Sequence, residues 1–411
     1  MAKEKASKGS LLFIFTVILV DVMGIAIIIP VIPTLIKELT GQELNDAGLW
    51  GGLLISSFAF MQFLFAPLMG ELSDKFGRRP ILFIALAGLG ADYIFHAFAP
   101  TLAWLFVGRM LAGICGASHT VATAYIADIS TPENKAKNFG MIGAAFGLGF
   151  FLGPMIGGFC AQWGYQVPFF VAAALALANL VWGIFVLPES LPKEKRREID
   201  WKRVIPGVSL ANLRKYRSLG LFVVAFTLVH LAGQVMPSTW SFFTMEAFGW
   251  GEAMVGISLG VVGLLVGIVQ GGLIGFSVKK FGQNKVIMMG FIFWTAGMFS
   301  FAIAGNQTLF FIALVPYVLG GIAGPTLQSL MSNFVPDNEQ GNLQGALTSM
   351  ISLTAIIGPL LYTSLFHFFA DKEKSYYFPA APFLAGGIIL IFATIVAWMA
   401  IKKNKVETEL V

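Results

Sequence analysis

The sequence predicts an all-α membrane protein of twelve transmembrane helices arranged in two pseudo-symmetric six-helix bundles. Three observations carry that prediction. Apolar residues far outnumber charged ones, twelve apolar runs are each long enough to cross a bilayer, and several features recur at half the chain length.

Of the 411 residues, 57% are hydrophobic and 12% charged. A soluble domain carries about a quarter charged residues, so lipid must be the solvent for much of this surface. The 46 Gly and 18 Pro suit packed and kinked membrane helices, which tolerate both. Cys115 and Cys160 lie in apolar runs without a CxxC or Cys/His neighbourhood, which points to neither a metal site nor a disulfide framework.

A spanning helix needs about 20 apolar residues at 1.5 Å each. Such runs fall near 10–36, 49–70, 80–99, 102–128, 138–160 and 167–187, then near 218–246, 252–276, 285–304, 307–334, 342–369 and 380–401. The first is too long for a signal peptide's apolar core and carries Asp21 in its middle, so it reads as a retained helix. With a cytoplasmic N-terminus, 23 of the Lys and Arg residues collect on the cytoplasmic side. Only Lys37, Lys372 and Lys374 fall on the other, so both termini are expected inside. That bias accounts for the net charge of +5 without nucleic acid. The polar stretch 188–217 reads as a solvated cytoplasmic linker between a bundle at 1–187 and a bundle at 218–411.

Shifting the chain by 205 residues lays GELSDKFG (70–77) on GFSVKKFG (275–282), Gly153-Pro154 on Gly358-Pro359, and Gly116 on Gly321. Duplicated six-helix halves are the build of transporters that rock two bundles about a central site.

Ionisable side chains inside a membrane cost several kcal/mol, so each needs a reason. Asp21 lies about 11 residues into the first span, roughly 17 Å deep, and Asp92 about 12 residues into the third, near 18 Å. Arg109 enters the fourth from the far side and reaches a comparable level. The functional reading is a proton switch, in which a carboxylate beside Arg109 stays ionised and one carried into apolar surroundings takes up a proton. The structural reading is a fixed buried salt bridge. His96 follows Asp92 by four residues on one helical face, within reach of sharing a proton with it.

Arg109, Gly113, Gly116, Thr120 and Thr123 fall within about 40° of one line on the fourth span, a small-residue stripe that admits a neighbouring helix. His119 lies about 80° off it, towards a possible cavity. A substrate cavity needs polar groups among aromatic walls. His230, Gln234 and Trp240 on the seventh span are candidates, with Gln62, Tyr93, Gln270, Trp294 and Gln328 from the second, third, eighth, ninth and tenth.

These segments resemble the major facilitator superfamily, in its drug/proton antiporter branch and closest to the tetracycline-efflux group. The residues that carry the resemblance are VDVMGIAIIIPVIP, GELSDKFGRRP, GLGADY, GRMLAGICGA, AYIADIS and GFFLGPMIGG in the first half, with HLAGQVMPSTW and LQGALTSMISLTAIIGPLL in the second. The resemblance implies the major facilitator fold and proton-coupled export of small amphipathic molecules by alternating access. It assigns Asp74, Arg78 and Asp128 to a charge relay that locks one conformation, with Gly70 and Gly77 shaping the loop. It ties Gly153, Pro154 and Gly157 in the fifth span to exporters. At the ninth span the group carries an acid and this chain Trp294, a departure that confines proton chemistry to the first half and argues against tetracycline itself.

The chain lacks GxxxxGK[ST], so an ion gradient or the substrate's own gradient must supply the energy. No nucleophile–base pair, cofactor motif or metal cluster points to an enzyme. The expected partners are a small-molecule substrate, protons and the lipid bilayer, and the expected working unit is a monomer in a bacterial inner membrane. The rival readings are an importer or exchanger of a physiological metabolite and a lipid flippase on the same scaffold.

Overall fold

The computed structural model describes residues 8–116, 118–130, 135–205, 219–336 and 340–409. Among them, twelve helices are long and apolar enough to cross a membrane, and there is no strand. They are α1 (Gly9–Ile27), α2 (Leu44–Phe76), α3 (Arg78–Ala97), α4 (Leu102–Ile129), α5 (Met141–Trp163) and α6 (Gln166–Val186). The second set is α7 (Gly220–Phe248), α8 (Glu252–Phe281), α9 (Gln283–Ile303), α10 (Gln307–Ser332), α11 (Leu343–Phe369) and α12 (Ala381–Asn404). A span that must satisfy its own backbone in lipid has no choice but helix, which is why apolar length alone predicted the elements so closely.

The residues gather into two compact units. One comprises Met1–Gln42, Ser57–Pro206 and Trp250–Leu264; the other comprises Glu43–Ser56, Gly207–Gly249 and Leu265–Val411. The units do not follow the chain at its two longest crossings, because α2 and α8 are each divided between them.

Glycine determines how closely the helices of the first unit approach. A Cβ at Gly153 would lie 2.8 Å from the Ala26 Cβ and 2.9 Å from the Met23 carbonyl, and one at Gly157 would collide with the Ile27 backbone. The fifth-span motif therefore seats α5 against α1. Its other face takes the first half of α8, where Gly260 lies against Met155 and Gly263 against the Phe150 backbone. On α4, Gly113 faces the Phe58 carbonyl and Met61 of α2, as the small-residue stripe requires. In the second unit, the first half of α2 lies on α11: Gly48 faces Phe366, and the Ser56 hydroxyl donates to the Ile356 carbonyl at 2.7 Å.

The half-length repeat is visible as geometry. The α1 helix stops at Ile27 and resumes as a short helix, Ile32–Thr40, while α7 is interrupted at Gln234, 205 residues after Ile29. α4 breaks after Cys115 and α10 after Gly320. Thr101 caps the start of α4 and Asn306 the start of α10, each side-chain oxygen accepting a backbone N–H three residues on. Gly77 and Gly282 hold φ of +103° and +79° at the turns into α3 and α9, a region that L side chains rarely adopt. Each of these pairs keeps the 205-residue offset.

Gly157 and Gly147 lie on one helix and make opposite demands. Gly157→Leu is expected to lower thermal stability in detergent by about 1–3 kcal/mol through overpacking against α1. Gly147→Leu, where a Cβ meets nothing within 4 Å, is expected to leave the melting midpoint unchanged. Equal midpoints for the two variants would contradict the α1–α5 packing.

Candidate functional site

Asp21, Asp92 and Arg109 are all buried, with 7%, 4% and 6% of their surface exposed, so the first unit holds three ionisable groups away from water. α1 supplies Asp21, α3 supplies Asp92, and α4 supplies Arg109. The Ser118 hydroxyl, where α4 resumes, donates to Asp21 Oδ2. Tyr93 stands among the three, its hydroxyl within electrostatic reach of both acids, of Arg109 and of Cys115. It packs against Gly24 of α1, where a larger residue would strike the phenol.

The fixed salt bridge does not form in this arrangement. Among the described residues, no carboxylate lies within the 4.0 Å of an ion pair with Arg109, whose guanidinium sits 4.7 Å over the Phe58 ring. Asp21 Oδ1, Asp92 Oδ1 and Arg109 Nε are buried without a hydrogen-bond partner, and Asp92 Oδ2 has only the His96 Nδ1 contact at 3.1 Å. Buried charges left this way are costly.

A second cluster lies where α2 meets α3. Gly77 turns the chain, and Glu189, just beyond α6, caps the start of α3 by accepting from the Arg78 and Arg79 amides at 2.9 and 3.3 Å. Arg78 is buried and pairs with Asp74 at 2.5 Å and Asp128 at 3.1 Å. Thr120 packs near Gly70, at 3.6 Å from where its Cβ would be. The three charges assigned to the relay therefore meet inside the first unit.

The stretch after α6 departs from a solvated linker. Arg197 reaches Asp74 at 2.5 Å and Glu71 at 2.7 Å. The Asp200 amide donates to Glu71, Lys75 pairs with Glu198 at 2.7 Å, and the Ser190 hydroxyl donates to Asp128. The Asp74 hydrogen bond, aided by Asp74 and Glu71 charge, raises Arg197 above its ordinary value against the opposing effect of burial. Residues 188–200 are thus strapped across the relay because the loop's acids need cations that Arg78 alone cannot supply. The rest of the expected linker, 206–218, lies outside the described residues.

At the equivalent positions of the second unit, 205 residues on, Arg78 and Asp128 become Gln283 and Asn333. These amides remain together, with Asn333 Nδ2 donating to Gln283 Oε1 at 3.4 Å. One half carries the contact as charge and the other as a neutral pair.

The polar residues expected around a cavity have mixed fates. Gln62 donates to the Gly116 carbonyl at 3.0 Å and Gln270, in a π-turn at Val269–Leu273, to the Gly321 carbonyl at 3.4 Å. Each serves a carbonyl at the break in its neighbour. His119 meets the Phe146 ring edge-on and its Nε2 has no partner. His230 bonds the Phe226 carbonyl at 2.8 Å, and Gln234 marks the α7 break where Gly358 allows α11 to close in. Gln328 pairs with Gln344 at 2.7 Å. Trp294 lies against Gly320 and edge-on to Tyr317. Trp240 is a correction: it exposes nothing and is enclosed by Phe301, Phe310 and Phe383, so it packs the second unit instead of lining a cavity. Among the described residues, no group of His, Cys, Asp and Glu is arranged to hold a metal ion.

Arg197, Glu71 and Glu189 are the residues that sequence reasoning missed. The available signal was the acidic Glu71 beside Asp74, two negative charges against one well-placed arginine.

The model of the Major Facilitator Superfamily matches residues 14–359 and 239–410. The tetracycline resistance protein, class C, of Escherichia coli is 36% identical over 88% of this chain and 90% of its own length. Its class E counterpart, also from Escherichia coli, is 40% identical over 85% and 86%. In fold, the chain is similar to a bacterial homolog of the human lysosomal transporter Spinster, solved in an inward-facing and occupied conformation. The TM-score is 0.78 at 14% identity, over 97% of this chain and 98% of that one. A family model spanning most of the chain and relatives at this identity lead to one conclusion: the chain belongs to the Major Facilitator Superfamily, in the group of the tetracycline resistance proteins.

Proposed function

We propose that this chain exports small amphipathic molecules in exchange for protons, by alternating access, as a monomer in a bacterial inner membrane with both termini cytoplasmic. Residues 1–187 and 218–411 would be the two bundles that move. One observation carries the reading: Asp21 and Asp92 are buried in the first unit, each with an Oδ1 that has no partner, and the nearby Arg109 is not locked to either acid. A salt bridge to Arg109 would hold these acids charged in every state. Free of it, each can exchange a proton as its surroundings change. Among the described residues the second half offers no comparable acid, so coupling rests on the first. The scaffold is that of a transporter, and no catalysis is proposed.

The tetracycline resistance relatives make tetracyclines the first compounds to try. Trp294 speaks for a different specificity, because a bulky indole packed on α10 stands where the resemblance expects an acid. That single observation also favours the second reading, exchange of a physiological metabolite without proton counterflow.

The strap at 188–200 and the relay at Asp74, Arg78 and Asp128 are assigned to conformational control. Breaking them is expected to change the rate of interconversion without touching substrate.

Proteoliposomes loaded with tetracyclines, lipophilic cations or metabolites test the reading by flux with and without a pH gradient. Gradient-driven flux of one amphipathic class is expected, and Asp92→Asn is expected to abolish it while leaving expression and folding intact. Full activity in that variant, or flux indifferent to the gradient, contradicts proton coupling at Asp92. Asp74→Asn and Arg197→Gln are each expected to lower turnover several-fold with substrate affinity kept within about twofold. Their combination should be less than additive by at least ~0.5 kcal/mol, as for residues in one network. Weakened binding at unchanged turnover would defeat the conformational role.

A further inference from the structure

The buried His96 is not used by the reading above, and its surroundings define its chemistry. Its Nδ1 lies 3.0 Å from the Asp92 backbone carbonyl and 3.1 Å from Asp92 Oδ2. A carbonyl oxygen only accepts, so Nδ1 must carry the hydrogen, and in the neutral ring Nε2 is a bare lone pair. Nε2 is buried without a partner. The ring is clamped in place, stacked on Phe169 at 5.5 Å and 9° on one side and lying against Gly108 of α4 on the other. A Cβ at position 108 would come within 2.5 Å of the His96 Cε1, so this glycine leaves the room that the imidazole fills.

We propose that His96 and Asp92 form one proton-binding unit, with His96 Nε2 as the atom that takes up the proton. This rests on the reading of Asp92 as the coupling acid and adds to it a second site for the same proton. Uptake at Nε2 converts the imidazole to an imidazolium, whose charge is balanced by the Asp92 carboxylate 3.1 Å from Nδ1. The occupied pair has net charge zero. Release from Nε2 restores the neutral ring with its Nδ1–H in place and leaves one negative charge on Asp92. Binding the proton on the carboxyl itself gives the same total charge, so the two forms are one occupied state of the pair.

His96 lies one turn beyond Asp92, nearer the α3–α4 turn. The charged and titratable groups on the packed elements are few. α4 carries Arg109, Cys115, His119, Tyr125 and Asp128; α6 carries none; Asp21 of α1 lies within electrostatic reach of Tyr93. Among the described residues, Asp92 is the one ion-pairing partner of His96.

The test combines two readouts on the full-length protein in detergent. The first is ¹⁵N NMR of the histidine rings against pH, with the His96 signal identified by its loss in His96→Asn, or in His96→Gln if the first variant fails to fold. The second is the pH midpoint of proton release on adding a transported tetracycline or lipophilic cation. The proposal expects a His96 ring with Nδ1–H throughout and Nε2 gaining a proton across the midpoint. That gain should be displaced to much lower pH in Asp92→Asn. It also expects the histidine variant to keep coupled transport with proton affinity lowered about tenfold, one pH unit. A His96 ring that stays neutral through the transition, with the midpoint unmoved by its substitution, overturns the proposal; loss of coupling in Asp92→Asn would then leave the antiport reading standing. Proton release undiminished in Asp92→Asn removes that reading, and this proposal with it.

Discussion

Everything in this molecule depends on what a hydrocarbon solvent forbids. Backbone polar groups must find partners inside the protein, and a charge must be paired, hydrogen-bonded or neutralised. The first rule yields twelve helices. It also explains how breaks are tolerated, since Gln62 and Gln270 serve carbonyls at the interruptions in α4 and α10. The second rule makes the first unit's interior unusual. Asp21, Asp92, His96 and Arg109 lie buried together, with several of their polar atoms unpartnered.

The two halves share a backbone plan and differ in charge. Helix caps, turn glycines and helix breaks repeat at 205 residues, while the ionisable interior does not. Asp92 falls on Gly297, Arg109 on Leu314 and His96 on Phe301. The contact of Arg78 with Asp128 returns as the amide pair of Gln283 and Asn333. Duplication therefore supplied the frame, and the chemistry was placed in one copy. The strap formed by residues 188–200 adds to this asymmetry by pinning the start of the connecting segment to the charged copy.

Much of this was legible in the sequence, and the reason is physical. Apolar length determines helices in lipid, glycine and proline mark close contacts and bends, and an acid amid apolar residues announces itself. Asp21, Asp92 and Arg109 stood out as ionisable residues in apolar runs, while Asp74, Arg78 and Asp128 came from the family resemblance. Side-chain partners were less legible. Arg197 meets Asp74 across 123 residues, and nothing local distinguishes it from its basic neighbours. Arg109 was expected beside a carboxylate and rests on Phe58, because burial could be inferred but pairing could not. Trp240 was misplaced because an aromatic at helical spacing looks the same whether it faces a cavity or three phenylalanines.

The central claim is that protons leave the acids of the first unit when substrate binds. The most direct measurement is the change in pH of a weakly buffered detergent solution of the purified protein as ligand is added, comparing wild type with the Asp21→Asn, Asp92→Asn double variant. The account predicts proton release with one class of amphipathic ligand and none from the double variant. Saturable ligand binding without proton release in wild type, or equal release from both proteins, would contradict it.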